Sequence, residues 1–302
     1  VVLAAVFLRF YQLDSLPPAI HPNEANWLML SRQLLANPSE FFSAISGATV
    51  GFIFHIGLGS AALSFTDSLI SVRYANAAIG VMSVIGLYFL AKSWFGRRAA
   101  LIAAFLMAVS PWAVTLSRNN VPANTAILIF MALCFFATKA YRTGRLPYIV
   151  SSVALLFMGC FSSRTFWIVP VVFGALIGIA FVKNRKRPIA RKMLVVTMVS
   201  GVLVSLAFLV LLIIGGKNPT MGLSGATVGQ LAGSGIPEKA KLIVENGFKT
   251  VGMLFIRGDE DYSTNLGGLP MLNVFVGLMF ILGLLVSFVR RQRLAYVFLM
   301  TS

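Results

Sequence analysis

Long apolar stretches recur from one end of this chain to the other, separated by short polar segments. Most of them are long enough to cross a hydrocarbon core of about 30 Å as a helix of roughly 17 to 25 residues. Spans are predicted over residues 71–92, 99–116, 122–138, 146–161, 164–182, 193–215 and 271–289, with incomplete ones at 1–10 and 294–302. The pattern therefore predicts an all-α, polytopic transmembrane helical bundle.

The composition supports a single membrane domain. Hydrophobic residues make up 58% of the chain and charged residues 11%, far from the balance of a soluble domain. Lys and Arg outnumber Asp and Glu by 25 to 9. They cluster in short loops between the spans, which indicates membrane orientation and argues against a nucleic-acid partner. We expect residues 1–302 to form one transmembrane domain, cut from a longer protein because both ends fall within predicted helices.

The basic loops predict which side each connection faces. The loops FGRR, KAYRTGR, KNRKRPIARK and RRQR hold more than half of the Lys and Arg residues. Alternation of the spans puts all four on one side, which is the cytoplasm. This arrangement requires that the apolar stretch from Gly51 to Ser64 does not cross the membrane. Residues 11–70 then form a first external loop, residues 216–270 form a second, and all 9 acidic residues lie outside.

Two segments of these external loops have helical patterns. Residues 237–256 place Val244, Phe248, Val251 and Phe255 at helical spacing, which predicts an amphipathic juxtamembrane helix. The stretch NEANWLMLSRQLL predicts another, with Glu24 in its first turn. An acid in the first turn commonly stabilises a helix. This structural role is an alternative to a catalytic role for Glu24.

Three arginines lie where orientation rules do not expect positive charge. Arg73, Arg118 and Arg164 each stand at the external end of a predicted span. The planar fork of arginine suits phosphate, although snorkelling to lipid headgroups explains any one of them alone. Together they predict a shared site for a lipid phosphate. The sequence has no P-loop and no metal-ligand spacing, and its two histidines, His21 and His55, are more typical of hydrogen-bonded structural residues.

Several motifs occur together in the order of a known family. They are LRFYQLDSLPPAIHPNEANW, SVRYANAAIGVMSVIGLYFLAKSWFGRRAALIAAFLMAVSPWAVTLSRNNVPAN, FSSRTFWIVP and FIRGDEDYSTNLGGLPMLNVFVGLMFILGL. Over nearly its whole length the chain resembles the bacterial protein-mannosyltransferase-like branch of the GT-C glycosyltransferases, glycosyltransferase family 39. The resemblance implies a GT-C type bundle with external juxtamembrane helices. It also implies transfer of a sugar from a polyprenyl-phosphate donor to an acceptor hydroxyl, with inversion, on the external face of the bacterial cytoplasmic membrane.

The resemblance implies roles for individual residues. An Asp-Glu pair in the family's first external loop serves the acceptor and any divalent metal, which places the chemistry here at Asn23 and Glu24, with Glu24 as the metal candidate. Arg73, Arg118 and Arg164 match the arginines that bind the donor phosphate. Further candidates for substrate binding are His21, Asn119, Asn120, Asp259 and Asn265. No nucleotide is expected, and the acceptor is a glycan, a lipid or a protein.

One position departs from the family pattern. Asn23 stands where the family has the first acid of the pair, and an amide cannot accept a proton from a hydroxyl near neutral pH. Either Glu24 acts as the base or the protein is a catalytically impaired relative. A transporter or flippase of lipid-linked substrates is a third hypothesis. Transporters place their informative charges near the bilayer midplane, whereas the charges here lie at the external ends of spans.

Overall fold

Helices form the regular structure of the part of the chain that the computed structural model describes, namely residues 1–17, 20–44, 49, 51–170, 172–173, 236–258 and 268–289. They are α1 (Val2–Phe10), α2 (Pro22–Ala36), α3 (Pro38–Ala44), α4 (Ile53–Leu63), α5 (Leu69–Phe95), α6 (Arg97–Val109), α7 (Pro111–Arg118), α8 (Pro122–Thr143), α9 (Leu146–Cys160), a 3₁₀ helix (Arg164–Trp167), α10 (Ile236–Phe255) and α11 (Val274–Val289). The all-α bundle predicted from the apolar pattern is confirmed.

Within the described residues, two helices are long and apolar enough to cross a membrane. They are α5 and α8, and the bent pair of α6 and α7 makes a third when it is taken as one span. These helices match the predicted spans 71–92, 122–138 and 99–116. Helix α9 and the first part of α11 are apolar but shorter. The predicted spans 193–215 and 294–302, and most of 164–182, lie outside the described residues.

The predicted span over residues 99–116 is broken in the middle. Helices α6 and α7 meet at Ser110 with a bend of 59°. Pro111 has no N–H with which to donate to the carbonyl of Met107, so the ladder of helical hydrogen bonds stops there. The hydroxyl of Ser110 accepts a hydrogen bond from the N–H of Ala113 and begins the new helix. The predicted span is therefore made of two helices joined at this proline, a break that the apolar pattern did not predict.

Arg9 in α1 satisfies the carbonyl groups that this break leaves open. Its side chain is fully buried and donates to the carbonyl oxygens of Ala108 at 3.0 Å and Met107 at 3.3 Å. Burying a charged group is costly unless it is hydrogen-bonded, and here the guanidinium donates to these two carbonyls and to that of Ala5 at 3.3 Å. Helix α1 is thereby fixed against the end of α6. Arg9 is not among the residues predicted from the sequence, although a charge near the end of an apolar run is a usable signal.

Successive long helices run in opposite directions, so polar segments collect at two ends of the bundle. At one end the Asn76 amide, near the start of α5, donates to the Asn119 carbonyl after α7. At the opposite end the Arg142 guanidinium donates to the Ser93 carbonyl at 2.9 Å. The predicted basic loops FGRR and KAYRTGR thus lie at the same end, as the orientation argument requires. The other two basic loops lie outside the described residues.

The apolar stretch from Gly51 to Ser64 forms the short helix α4. Its 11 residues are fewer than the roughly 17 that a straight span needs. It packs on α2, where the Ser60 hydroxyl donates to the Ser31 carbonyl at 2.7 Å and the Ser31 hydroxyl donates to the Ile56 carbonyl at 3.2 Å. Its length agrees with the prediction that the stretch does not cross. Its place relative to the membrane stays a prediction.

Close helix contacts depend on small residues. A Cβ atom at Gly80 would collide with the Cβ of Ser117 and come within 3.0 Å of Nε of Arg9, so glycine lets α5 approach α7 and α1.

A separate apolar core lies where α4, α8 and α9 meet and includes Ile56, Ile129, Leu133, Leu156, Cys160, Phe161 and Phe166. These contacts hold the end of the bundle that carries Glu24.

Helix α10 confirms the helical prediction for residues 237–256. It runs from Ile236 to Phe255, and its Phe248 and Val251 side chains are exposed. Glu245 and Lys249 form an i,i+4 ion pair at 3.1 Å. The position of this helix on the membrane surface stays a prediction.

Candidate active site

The start of α2 divides the predicted catalytic pair between two environments. Nδ1 of His21 accepts a hydrogen bond from the N–H of Asn23 at 3.2 Å, which caps the helix, and Pro22 occupies the first helical position. The side chain of Asn23 is exposed, whereas Glu24 is only 1% exposed. Successive helical residues point in different directions, so Glu24 enters the bundle and Asn23 does not.

Glu24 forms a two-point ion pair with Arg73 of α5. Nε of Arg73 donates to Oε1 at 2.8 Å, and the second donor, NH2, reaches Oε2 at 2.7 Å. The backbone N–H of Asn120, between α7 and α8, also donates to Oε1 at 3.1 Å. Both side chains of the pair are buried. Three parts of the fold therefore converge on one carboxylate, which is the geometry that makes charge-assisted hydrogen bonds strong.

Arg73 and Arg118 also hold the connection between α1 and α2. The remaining NH1 donor of Arg73 reaches the carbonyl of Pro17 at 3.0 Å. Arg118 donates to four backbone carbonyls, those of Leu8 at 3.0 Å, Tyr11 at 2.9 Å, Gln12 at 3.3 Å and Leu16 at 2.9 Å. The two guanidinium groups thus meet adjacent carbonyls, at residues 16 and 17.

The predicted phosphate site is only partly assembled. Arg73 and Arg118 come together at one end of the bundle, but their guanidinium groups contact protein acceptors. Arg164 begins the 3₁₀ helix after α9, and its side chain is not among those described. An anion shared by the three arginines stays a prediction, and it requires Arg73 and Arg118 to exchange a carbonyl for a phosphate oxygen.

The predicted asparagines lie beside Glu24. The Asn119 carbonyl accepts from the Asn76 amide, which is itself held by Asn124, whose amide donates to the Asn76 carbonyl at 2.8 Å and to its side-chain oxygen at 3.0 Å. Asn120 donates to Glu24 through its backbone. Asp259 and Asn265 lie outside the described residues. His21 acts as a helix cap, and its role in substrate binding stays a prediction.

His55 of α4 lies near this site, and the sequence predicted a hydrogen-bonded structural role for it. Its Nδ1 contacts the hydroxyl of Thr125 at 3.3 Å, and the ring of Trp27 meets it edge-on with centroids 5.9 Å apart. Burial lowers the pKa of His55 to about 4, against an opposing effect of a side-chain hydrogen bond with Asn120. The imidazole is therefore neutral near pH 7.

The described residues do not offer a ready site for a divalent metal. They contain no group of three or more His, Cys, Asp or Glu side chains placed to hold one. The candidate ligand Glu24 already has both oxygens bonded by a cationic guanidinium, and the neighbouring Asn23 points away. The described residues around Glu24 do not fit the metal that the family resemblance allows, so no step is assigned to a metal.

The whole arrangement lies within, or next to, a segment that matches a known family. Residues 51–213 match the family model described as "Dolichyl-phosphate-mannose-protein mannosyltransferase", which is more than half of the chain. The chain belongs to this family. The matched interval of this mannosyltransferase-family protein includes Arg73, Arg118 and Asn120, whereas Asn23 and Glu24 precede it. Together with the apolar helices, membership makes this a membrane protein with a GT-C type helical bundle.

Two relatives from Bacillus subtilis (strain 168) are similar over shorter stretches. The protein named "Putative mannosyltransferase YkcB" is 38% identical over 90 residues, which is 30% of this chain and 12% of that protein. The protein named "Putative mannosyltransferase YycA" is 37% identical over 98 residues, which is 32% of this chain and 14% of that protein. The chain thus covers only a small part of the length of either relative.

Proposed function

We propose that the protein is a membrane glycosyltransferase that moves a sugar from a polyprenyl-phosphate donor to a hydroxyl of a glycan, lipid or protein. The reaction takes place with inversion at the external face of the bacterial cytoplasmic membrane. Family membership supports sugar transfer, and the names of the relatives support mannose as the first sugar to test. The observation that carries the proposal is the buried Glu24 carboxylate, held by Arg73 and Asn120 with Arg118 close by.

The proposed proton acceptor is Oε2 of Glu24. Among the described residues Oε2 accepts one hydrogen bond, from Arg73, whereas Oε1 accepts one from Arg73 and one from Asn120. A carboxylate oxygen has two lone pairs, so Oε2 keeps one for the acceptor hydroxyl. As Oε2 takes the proton, the acceptor oxygen bonds to the anomeric carbon from the face opposite the phosphate. The bond from that carbon to the phosphate oxygen breaks, and its electron pair leaves with the phosphate.

The arginines stabilise the departing phosphate in this proposal. Arg73 and Arg118 hold the adjacent carbonyls of Pro17 and Leu16, so movement of one short segment frees a donor on each. Donors fixed before the reaction stabilise developing charge better than donors that must reorganise. Arg164 completes the set by its predicted position at the external end of the span 164–182.

A second candidate function is donor binding without transfer, by an impaired relative. The exposed position at the start of α2 is occupied by Asn23, where the family pattern has an acid. Glu24 is buried and both of its oxygens accept hydrogen bonds from Arg73 or Asn120, as those of a purely structural carboxylate would. These two observations favour the second candidate, and the first requires that the acceptor reach Oε2.

The two candidates are separated by Glu24→Gln and Asn23→Asp in the full-length protein. Transfer from polyprenyl-phosphate-mannose is measured together with donor binding and melting temperature, with Glu40→Gln as a control in the same loop. A base at Glu24 predicts that Glu24→Gln lowers transfer by roughly a hundredfold or more while a folded protein still binds the donor. Near-parental transfer by Glu24→Gln contradicts this role. An inactive parent that Asn23→Asp activates supports the second candidate.

A further inference from the structure

Two buried polar atoms beside Glu24 have no hydrogen-bond partner. They are Nε2 of His55 and Nδ2 of Asn120. The side chains are only 4% and 2% exposed, and Asn120 raises the pKa of His55 through a side-chain contact. Leaving a buried polar group unsatisfied costs about 1 to 3 kcal/mol. The contact between the two side chains can supply the partner that Nε2 of His55 needs.

Two arrangements of these groups are chemically possible. A neutral imidazole has one N–H donor and one acceptor nitrogen, and an amide presents an oxygen on one side and an NH₂ on the other. The contact between Nδ1 of His55 and the Thr125 hydroxyl fits either ring tautomer. When the Thr125 hydroxyl donates to Nδ1, the proton lies on Nε2 and the side-chain oxygen of Asn120 is its matching partner. The contact with Asn120 raises the pKa of His55, which favours this arrangement, because an acceptor for a ring N–H stabilises the protonated imidazole.

We propose that His55 is a positioning residue for Glu24. Its Nε2–H donates to the side-chain oxygen of Asn120, and this contact fixes the peptide whose N–H donates to Oε1 of Glu24. The hydrogen-bond chain runs from Thr125 through His55 and Asn120 to the ion pair with Arg73. The role of Glu24 as proton acceptor rests on the proposed function, whereas the hydrogen bond between His55 and Asn120 does not.

The place of Asn120 in the fold explains why it needs such support. It lies between the end of α7 at Arg118 and the start of α8 at Pro122, where no helical ladder orients its peptide. The Asn119 carbonyl and the N–H of Asn120 belong to one planar peptide, so the Asn76 amide orients this N–H from the Asn119 side. Anchoring the side chain of Asn120 to α4 fixes the other end of the peptide, at the Cα of Asn120, so that the N–H stays on Oε1 and Oε2 remains for the acceptor.

The hydrogen bond can be tested by nuclear magnetic resonance on full-length protein labelled with ¹⁵N-histidine. The His55→Gln spectrum assigns the His55 signals by difference. We expect the proton of the neutral ring to reside on Nε2, and Asn120→Ala to shift the Nε2 signal. A proton on Nδ1, or an Nε2 signal that Asn120→Ala leaves unchanged, overturns the proposal. An Nε2 that exchanges with solvent as fast in the parent as in Asn120→Ala also overturns it, since a water would then be the partner.

The positioning role can be tested with two substitutions that keep different ends of the imidazole. The amide nitrogen of His55→Gln reaches about as far as Nε2, whereas that of His55→Asn reaches only to Nδ1. We expect His55→Gln to keep most of the parental kcat and His55→Asn to lose roughly tenfold, because small displacements of a reacting group are costly. The donor KM and the melting temperature should be similar in the two variants.

The outcomes of this pair are distinct from those of the proposed function. Equal losses of kcat in His55→Gln and His55→Asn, or a change confined to KM, contradict positioning of Glu24. A parent protein that binds no donor and transfers no sugar contradicts the proposed function. In that case the ring tautomer and its response to Asn120→Ala still decide whether His55 holds Asn120.

Discussion

The two ends of the bundle use arginine in opposite ways. At the end with Glu24, Arg9 and Arg73 are buried and Arg118 is half-buried, and all three guanidinium groups donate to carboxylate or carbonyl oxygens. At the other end the basic side chains are exposed to the surroundings of the bundle. These exposed residues are Lys92, Arg97, Arg98, Arg142 and Arg145. Arginine therefore joins distant segments of the chain through hydrogen bonds at one end and acts as an orientation signal at the other.

The difference lies in what surrounds each charge. An exposed cation keeps its water, interacts weakly with its neighbours and counts mainly through the number of charges in the loop. A buried cation loses its water and depends on the acceptors around it, so removing its partner leaves an unpaired charge inside the protein. Substitutions at the two ends should therefore have effects of very different size.

The largest effect is expected from separating Arg73 and Glu24. Arg73→Met leaves a buried carboxylate without its cation, which should lower the free energy of unfolding by about 3 to 5 kcal/mol. The matched control is Arg142→Met at the exposed end, where the loss should stay below about 1 kcal/mol. Thermal unfolding in detergent micelles measures both. The contrast between the ends is refuted if the two variants melt together.

A double variant sharpens the same comparison. Arg73→Met combined with Glu24→Met removes both charges and should recover much of the stability lost by Arg73→Met alone, because no buried charge remains unpaired. Its melting temperature should lie clearly above that of the single variant. A double variant that is less stable than either single variant would mean that the pair itself, and not the stranded charge, supplies the stability. Sugar transfer should stay absent in the double variant.

Arg118→Ala should have an intermediate effect that is local. It removes the donors for four carbonyls between Leu8 and Leu16, and a lost charge-assisted hydrogen bond is typically worth about 1.5 to 3 kcal/mol, with partial replacement by water here. Hydrogen exchange should quicken at the amides of residues 11–17 before it does so in α5 or α8. Uniform quickening throughout the bundle would show that Arg118 supports the whole fold instead of this connection.

Gly80→Ala should lower the free energy of unfolding less than Arg118→Ala does, and it should do so by crowding two helices. The new methyl group would collide with Ser117 where α5 crosses α7, and overpacking of this kind typically costs about 1 to 3 kcal/mol. Gly86→Ala is the matched control on the same helix, since its nearest neighbour would be the Cβ of Met131 at 3.8 Å. Its melting temperature should equal or exceed that of the parent. Equal destabilisation by both changes would point to the helix and not to the crossing.

The smallest effect is expected from the exposed ion pair of Arg32 and Asp67. Nε of Arg32 lies 2.8 Å from Oδ1 of Asp67, with 48% and 71% of the side chains exposed. Such pairs typically contribute about 0.2 to 1 kcal/mol and less in salt. Arg32→Gln should therefore shift the melting temperature little, and high salt should remove the difference from the parent. A loss of stability as large as that of Arg73→Met would show that the exposed Arg32 stabilises the fold as strongly as the buried Arg73.

The sequence was sufficient for features that depend on local pattern. Apolar runs predicted α5 and α8, and helical spacing predicted α2 and α10, because these signals come from residues within one element. The same approach missed the break at Pro111, since the length of the apolar run outweighed the missing N–H of one residue. It also put Arg73 and Arg118 at one end of the bundle by counting spans, and the structure brings them together at one end; the side of the membrane that this end faces stays a prediction.

The partners of those arginines could not be predicted in this way. The ion pair joins Glu24 to Arg73, 49 residues later, and the N–H that completes it comes from Asn120. Arginine at a helix end fits phosphate, carboxylate or backbone carbonyl equally well. The tertiary fold determines which of these acceptors it contacts. His55 was expected to be structural, and the structure adds that it touches the residue that holds Glu24.

The reach of Arg118 has a consequence for how the protein is made. Its contacts with Leu8 and Leu16 close loops of 110 and 102 residues. Arg9 likewise donates to carbonyl groups that lie 98 and 99 residues later in the chain. Synthesis at about 5 to 20 residues per second leaves the first segment without these partners for several seconds. The beginning of the chain should therefore stay open to chaperones and to proteases until α7 has left the ribosome, and it should be among the last parts to reach its final form.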